Sequence, residues 1–345
     1  MNQQWKQFLE SQAATVEETD MVRFDNGHNL SECALFDLSH LRFIQVSGED
    51  AEAFLQGQFT NDIRQVSPEH HQMSAYCTHQ GRMLANFRIF SHLGSYTLQL
   101  PIDTKDALLK RLSMFILRSQ VTLEEVSDQL VVIGLAGECS SELLATTFDN
   151  LPQTPGDSLQ QDGTTILRLP GPTPRFELIG STDAMQTLWS KLAEKASTTN
   201  SELWSLLDIR SGIPTIYTDT VESFVPQMTN MQLIDGVNFD KGCYVGQEVV
   251  ARMKYLGSLK RRMYLATTDS PTQPQPGDEL FSSAATESGQ GAGKVVMSAA
   301  APLGGYELLA VIENSHIETD QLHLDSDTGP TIVLTPLPYE FEQEE

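Results

Sequence analysis

Past residue 255 the chain stops giving helix signals. Short apolar runs recur at 262–266, 279–281, 294–297, 307–312, 322–324 and 331–334, with Gly, Pro, Ser and Asp between them. Strands this short and this closely spaced bury their apolar faces by closing into a small barrel or packing as a sandwich. A last domain boundary is expected between Asp240 and Gly257.

Upstream the pattern is mixed. Residues 41–46 (LRFIQV) read as a strand, followed by a short helix over 51–58 that Ser47 or Asp50 caps. Residues 89–100 read as a hairpin turning near Gly94. Ala107, Leu108, Leu112, Phe115 and Ile116 fall at helical spacing, which predicts a helix over 104–118 with Thr104 as N-cap. Strands are expected at 121–126, 130–136 and 175–179, and helices at 138–148, 183–196 and 202–209. Residues 150–163 and 170–174, rich in Pro, Gly, Gln and Asp, read as loops. The fold class is α+β. The expected organisation is a polar, helical or frayed extension over 1–20, α+β domains over 21–125 and 126–240, and a terminal β domain over 241–345.

Composition narrows the function. Hydrophobic residues make up 40% and charged residues 20%, the range of a folded chain. The net charge is -24, from 22 basic and 46 acidic residues. Broad nucleic-acid coating needs a net positive face, so direct nucleic-acid binding is not expected. No signal-peptide pattern and no membrane-length apolar run is visible, so a cytoplasmic location is expected. Cys33, Cys77, Cys139 and Cys243 form no C-x-x-C pair. They read as thiols in a reducing compartment, inert in three cases, with Cys243 set apart by its surroundings.

Those surroundings are the segment 224–262, FVPQMTNMQLIDGVNFDKGCYVGQEVVARMKYLGSLKRR. Gly236, Gly242, Gly246 and Gly257 suit sharp turns or close backbone approach. Cations near a thiol favour the nucleophilic, metal-binding thiolate, and Lys241 and Arg252 flank Cys243 in sequence. A helix starting at Gln247 would add its N-terminal field. Set against this, Cys243 also reads as a small buried hydrophobe beside a glycine turn. Lys241, Arg252, Lys254, Lys260, Arg261 and Arg262 form a local basic excess. It reads equally as an anion site or as a strand edge protected by charge.

K-G-C-Y-x-G-Q-E, preceded by Pro226-Gln227 and Thr229-Asn230 and followed by A-R-x-K-Y-x-G-x-x-K-R, resembles the signature of the YgfZ family, which is similar to the glycine-cleavage T protein. Gly48–Asp62, Cys77–Asn86 and Pro336-Leu-Pro-Tyr339 resemble further family patches, so the likeness runs from about residue 41 to 339. It implies a T-protein-like fold: two α+β portions around a central folate-binding hole, then a six-stranded β-barrel. It implies tetrahydrofolate or a derivative as cofactor, and support of iron–sulfur client enzymes or assembly proteins and, indirectly, of tRNA-modifying enzymes. It places Trp204 at a folate-contacting tryptophan. Asn86, Arg210, Gln227, Asn230, Tyr244, Gln247 and Glu248 are further candidate cofactor contacts, with Cys243, Lys241 and Arg252 as the candidate reactive group.

The chain departs from the pattern at three places. The family's other folate-contacting tryptophan aligns near Leu41, which has no ring. The T protein's paired aspartates align near Ala85 and Asn86, neither a carboxylate. A glutamate that meets the pterin in T proteins is Arg210 here, which accepts no hydrogen bond. Glycine-cleavage activity is therefore not expected. The readings that remain are a folate-dependent accessory factor, a one-carbon transferase using Cys243, a tRNA-binding module on the basic patch, and a purely structural protein. His70, His71 and His79 read as solvated loop residues rather than metal ligands, and Asn61-Asp62 as turn or cap residues.

Overall fold

The computed structural model describes residues 1–28, 30–256, 259–282, 291–317 and 321–341; Gly257 lies outside them. In chain order the elements are α1 (Gln3–Ser11), β1 (Ala14–Val16), β2 (Val22–Phe24), β3 (Ala34–Asp37), β4 (Leu41–Ser47), α2 (Ala51–Gln56), β5 (Gln72–Cys77), β6 (Met83–His92), β7 (Ser95–Pro101), α3 (Ile102–Ser113), β8 (Thr122–Glu125), β9 (Val131–Ala136) and α4 (Ser140–Leu144). They continue with β10 (Ser158–Gln161), β11 (Thr164–Leu169), β12 (Arg175–Gly180), α5 (Thr182–Leu192), β13 (Ser197–Thr199), α6 (Glu202–Arg210) and α7 (Gln247–Leu256). The last stretch holds β14 (Arg261–Thr268), β15 (Glu279–Phe281), β16 (Gly293–Ala300), β17 (Tyr306–Glu313), β18 (Leu322–Leu324) and β19 (Thr331–Thr335). Among the described residues, no helix is long and apolar enough to cross a membrane.

Contacts group these elements into two units, each assembled from separated stretches: 1–57, 62–72 and 87–204, against 58–61, 73–86 and 205–345. The first unit holds a six-stranded sheet in the order β10-β11-β12-β9-β3-β13, antiparallel except for β3 and β13. It also holds the antiparallel run formed by the end of β6 with β7, β4 and β8. Strands β3, β5, β9 and β12 are buried at every position, as strands covered on both faces must be. Trp5, Leu9, Ile133, Leu135, Phe176, Met185 and Trp189 share one core cluster.

In the second unit the six expected strand runs each become a strand, and they close into a barrel in the order β14-β17-β16-β15-β18-β19. The register of β16 against β17 shifts between Val295 and Met297, a bulge that helps a small sheet curve. Ala266, Leu280, Val295, Leu308, Ala310, Ile312, Leu324 and Ile332 fill the interior.

Several sequence readings are corrected. The stretch 1–20 takes the helical of its two readings as α1, but it is no loose extension, since Trp5 and Leu9 are fully buried. Helix α3 ends at Ser113; Met114 and Leu117 are exposed, so the apolar spacing after Leu112 has no core to face. Thr104 lies inside α3, and Pro101 takes the N-cap position. The helix expected over 138–148 shrinks to α4. The loop expected over 150–163 contains β10, an edge strand with one neighbour and, apart from Leu159, polar side chains. His71 is buried, not solvated: its Nε2 donates to the Arg168 carbonyl at 3.0 Å and its Nδ1 accepts from Arg88 Nη1 at 3.4 Å. Cys33 and Cys139 are not separate thiols; they form a disulfide across 106 positions of sequence.

Candidate functional site

Cys243 sits on a loop fixed by close backbone contacts within the second unit. Gly246 has φ +85°, and a Cβ there would lie 2.4 Å from the Thr78 carbonyl oxygen and 3.3 Å from Cys77 Cβ. Facing it, Gly81 has φ +72°, and its Cβ would meet Val249 at 3.0 Å. Two glycines let the loop and the turn between β5 and β6 touch backbone to backbone. Residues 58–61 pin the segment leading into this loop. Thr60 Oγ1 donates to the Gly236 carbonyl at 2.8 Å, Asn61 Nδ2 donates to the Asp235 and Met73 carbonyls, and Asn238 N donates to the Thr60 carbonyl at 3.0 Å.

Lys241 is turned inward. Its ammonium donates to the carbonyls of Phe59 at 2.5 Å and Asn61 at 2.8 Å, and lies 5.0 Å from the centre of the Tyr244 ring. Burial raises the Tyr244 phenol above its ordinary value, so the ring stays neutral. Cys243, between these two buried residues, is exposed and carries a free thiol. Cys77 below the loop is its opposite: burial pushes its thiol up to about 12, which keeps it protonated and inert. Helix α7 begins at Gln247, as expected. Gln247 is half-buried, and Glu248 and Arg252 are exposed.

The P-Q-x-T-N motif forms a 3-10 turn over Pro226–Thr229, closed by Asn230 in the left-handed region at φ 59°. Gln227 Nε2 donates to the Val250 carbonyl in α7, and Asn230 Nδ2 donates to the Met263 carbonyl in β14 at 2.8 Å. Both side chains are buried, and in both the carbonyl oxygen has no hydrogen-bond partner among the described residues. Buried acceptors are ordinarily paired, so Gln227 Oε1 and Asn230 Oδ1 are two ready acceptors in one short segment. Asn230 Nδ2 also reaches Tyr339 Oη at 3.4 Å, and that hydroxyl donates to the Gly212 carbonyl at 2.8 Å. Burial pushes the Tyr339 phenol up to about 12, so it remains a donor. The motif Pro336-Leu-Pro-Tyr339 thus has a structural reason: it straps Gly212, where a Cβ would fall 2.5 Å from the ring.

Arg210 forms a two-point pair with Glu307 in β17, at 2.9 and 2.5 Å. Nothing in the sequence marks Glu307, 97 positions on, as its partner. Asn86 is a structural tie: its Nδ2 donates to the Pro214 carbonyl at 2.7 Å and its Oδ1 accepts from Ile216 N at 2.8 Å. Among the basic residues, Lys254 stacks 4.1 Å from the Phe239 ring centre, Arg262 lies 5.0 Å from that of Phe341, and Arg261 pairs with Glu313 at 3.3 Å. Arg252 and Lys260 face solvent.

Two candidates lie in the first unit. Trp204 is 1% exposed; it meets Phe36 edge-on at 5.2 Å and the Arg175 guanidinium at 5.2 Å, and a Cβ on Gly134 would fall 2.6 Å from its ring. Leu41 opens β4, half-buried, beside a cavity of about 10 Å³ that Trp5 also lines. The Trp5 indole is fully buried and donates to Asp37 Oδ2 at 2.6 Å.

A protein called tRNA-modifying protein YgfZ from Pectobacterium carotovorum subsp. carotovorum (strain PC1) is 33% identical over 307 residues, covering 89% of this chain and 92% of its own. The chain belongs to the YgfZ family. A relative of the same description from Escherichia coli O157:H7 (strain EC4115 / EHEC) is 31% identical over 309 residues, covering 90% of this chain and 94% of its own. The family profile described as the GCVT N-terminal domain matches residues 4–156. The glycine cleavage system aminomethyltransferase T from Bartonella henselae superposes with a TM-score of 0.77 at 14% identity, over 97% of this chain and 96% of that one. This chain therefore has the T-protein fold, with mixed α and β sheets and the closed barrel as expected.

Proposed function

We propose that this chain is a tetrahydrofolate-binding accessory protein for tRNA modification, acting through the iron–sulfur enzymes that perform it. The observation that carries the folate part is the pair of buried, unpartnered acceptors, Gln227 Oε1 and Asn230 Oδ1. A reduced pterin presents ring N–H and amino donors, the chemistry these oxygens lack. An acceptor left unpaired inside a protein costs about 1–3 kcal/mol, which a bound donor would recover. Bound folate would supply a one-carbon carrier. The chain's own residues would orient it through these two amides, and Tyr339 and the Met263 carbonyl would hold Asn230 in place. The relatives' description as tRNA-modifying proteins supports the second part of the reading.

The test is anaerobic titration calorimetry with tetrahydrofolate. Binding in the micromolar range is expected. Asn230→Gly, which suits the left-handed backbone but removes the acceptor, weakens it by about ten-fold or more, while Asn230→Asp, which keeps an acceptor, weakens it less. No binding by the unaltered protein sinks the folate reading. A second reading, one-carbon transfer to the Cys243 thiol, is favoured by the exposure of that thiol on a fixed loop. It predicts a mass increase on Cys243 after incubation with methylene-tetrahydrofolate, and an unmodified Cys243 peptide removes it.

A further inference from the structure

We propose that Cys33–Cys139 is a reversible thiol–disulfide exchange site, opened by a dithiol that enters the cavity beside it. The bond lies in the first unit, with no part of the Cys243 loop. It joins the residue before β3 to the N-cap of α4, with Cα atoms 5.7 Å apart. Both cysteines are half-buried and line a cavity of about 490 Å³, together with Glu142, Leu143, Lys195 and Ser197. That volume is in the range that admits a small molecule or the protruding edge of a partner. Glu142 and Lys195 are exposed, so the sulfurs are approached from solvent, and Lys195 is the cation among the lining residues. Glu32 and Glu142 line the cavity too, so Lys195 offsets part of a negative wall that an incoming thiolate meets.

The surrounding backbone holds its place without the bond. Strands β3 and β9 pair with Ala34 opposite Ala136, so Cys33 leaves the ladder next to Gly137. Gly137 has φ +117°, and a Cβ there would lie 1.9 Å from the Glu32 carbonyl oxygen, so the two chains touch there. The Cys33 carbonyl accepts from Ser197 N at 2.9 Å and Ser31 Oγ at 2.6 Å. Two thiols released here stay face to face, which favours reclosure. The open form also has a ready hydrogen bond: Cys139 Sγ lies 3.5 Å from the Glu32 carbonyl oxygen, an acceptor for a thiol proton.

The exchange balances. One thiolate of the dithiol attacks Cys33 Sγ, forming a mixed disulfide and releasing Cys139 as a thiolate that takes a proton from water. The second thiol of the dithiol then displaces Cys33. The dithiol leaves as a disulfide, oxidised by two electrons, and Cys33 and Cys139 remain as thiols.

The test is differential alkylation of the full chain without denaturant, read by peptide mass. Before reduction, N-ethylmaleimide labels Cys243 but neither Cys33 nor Cys139. After millimolar dithiothreitol it labels Cys33 and Cys139 as well, with an unchanged far-ultraviolet circular dichroism spectrum, and oxidised dithiothreitol restores the protection. Labelling of Cys33 and Cys139 before any reductant shows that no bond forms and overturns the proposal. Labelling that needs guanidinium as well as dithiothreitol shows a sealed staple, and overturns it too. The Cys33→Ser chain, labelled at Cys139 without reductant, and the Cys139→Ser chain, labelled at Cys33, confirm that each sulfur is reachable in the folded protein; protection of Cys33 in the second variant counts against the site.

Discussion

Gly246 shows how far a single position controls the candidate site. Gly246→Ala must hold a non-glycine residue at φ +85° with a methyl group 2.4 Å from the Thr78 oxygen. The expected cost is about 2–4 kcal/mol in urea denaturation, with faster amide exchange over 241–247. His71 controls a pH response. Burial and the facing Arg88 guanidinium hold its imidazole well below the ordinary value, so it is neutral in the fold and protonates in the unfolded chain. The stability this confers is present above about pH 6.5 and lost as pH falls through it, at up to about 1.4 kcal/mol per pH unit. Asp37, which burial raises to about 6, acts the other way: its stabilising share is present below its unfolded value and lost as pH rises through 6. Comparing the native chain with His71→Gln by chemical denaturation from pH 7.5 to 5 cancels the Asp37 part, and the variant shows the shallower loss. The site was half legible at this scale. The cysteine motif marked the loop, because glycines and a cysteine at fixed spacing leave a local trace. The partners that fix its side chains, Phe59 and Asn61 for Lys241 and Glu307 for Arg210, are remote in sequence and left none.

Among elements, the barrel strands were legible to within about three residues at their ends, because each holds a short apolar run set between turn residues. Strand β10 was hidden because an edge strand needs no apolar run, and α4 was overdrawn because Phe148 keeps helical spacing and joins the same core cluster as Leu143 and Leu144 although the helix has ended. Two elements meet through charge: α6 ends in Arg210, which grips Glu307 on β17. Arg210→Glu sets two carboxylates together and is expected to lower the melting temperature by several degrees. The doubly exchanged Arg210→Glu/Glu307→Arg recovers part of that loss in calorimetry. Recovery of none would mean that the pair does not couple. The Cys33–Cys139 bond also ties elements, β3 to α4. Closing a loop of 106 positions, it is expected to contribute on the order of 3–5 kcal/mol by restricting the unfolded chain. Calorimetry of Cys33→Ser/Cys139→Ser against the oxidised chain reads that difference directly.

For the whole molecule, the charge of -24 sets what can approach. Several of its few basic side chains face their own aromatic rings or carboxylates. Labelled tRNA is therefore expected to bind more weakly than roughly 100 μM even at low salt, as measured by anisotropy. Tighter, salt-sensitive binding would show that the exposed Arg252 and Lys260 form a phosphate site after all. The interleaving of the two units has a consequence for the order of events during synthesis. Residues 58–61 and 73–86 belong to the second unit, yet the rest of that unit begins at Ser205. At a rate of about 5–20 residues per second, β5 and the start of β6 leave the ribosome some ten seconds or more before the barrel that shares their unit exists. For that interval a strand buried at every position has no finished home. A nascent chain stalled there is a natural client for a holding chaperone, and neither unit can be cut out and expressed as one continuous stretch of this sequence.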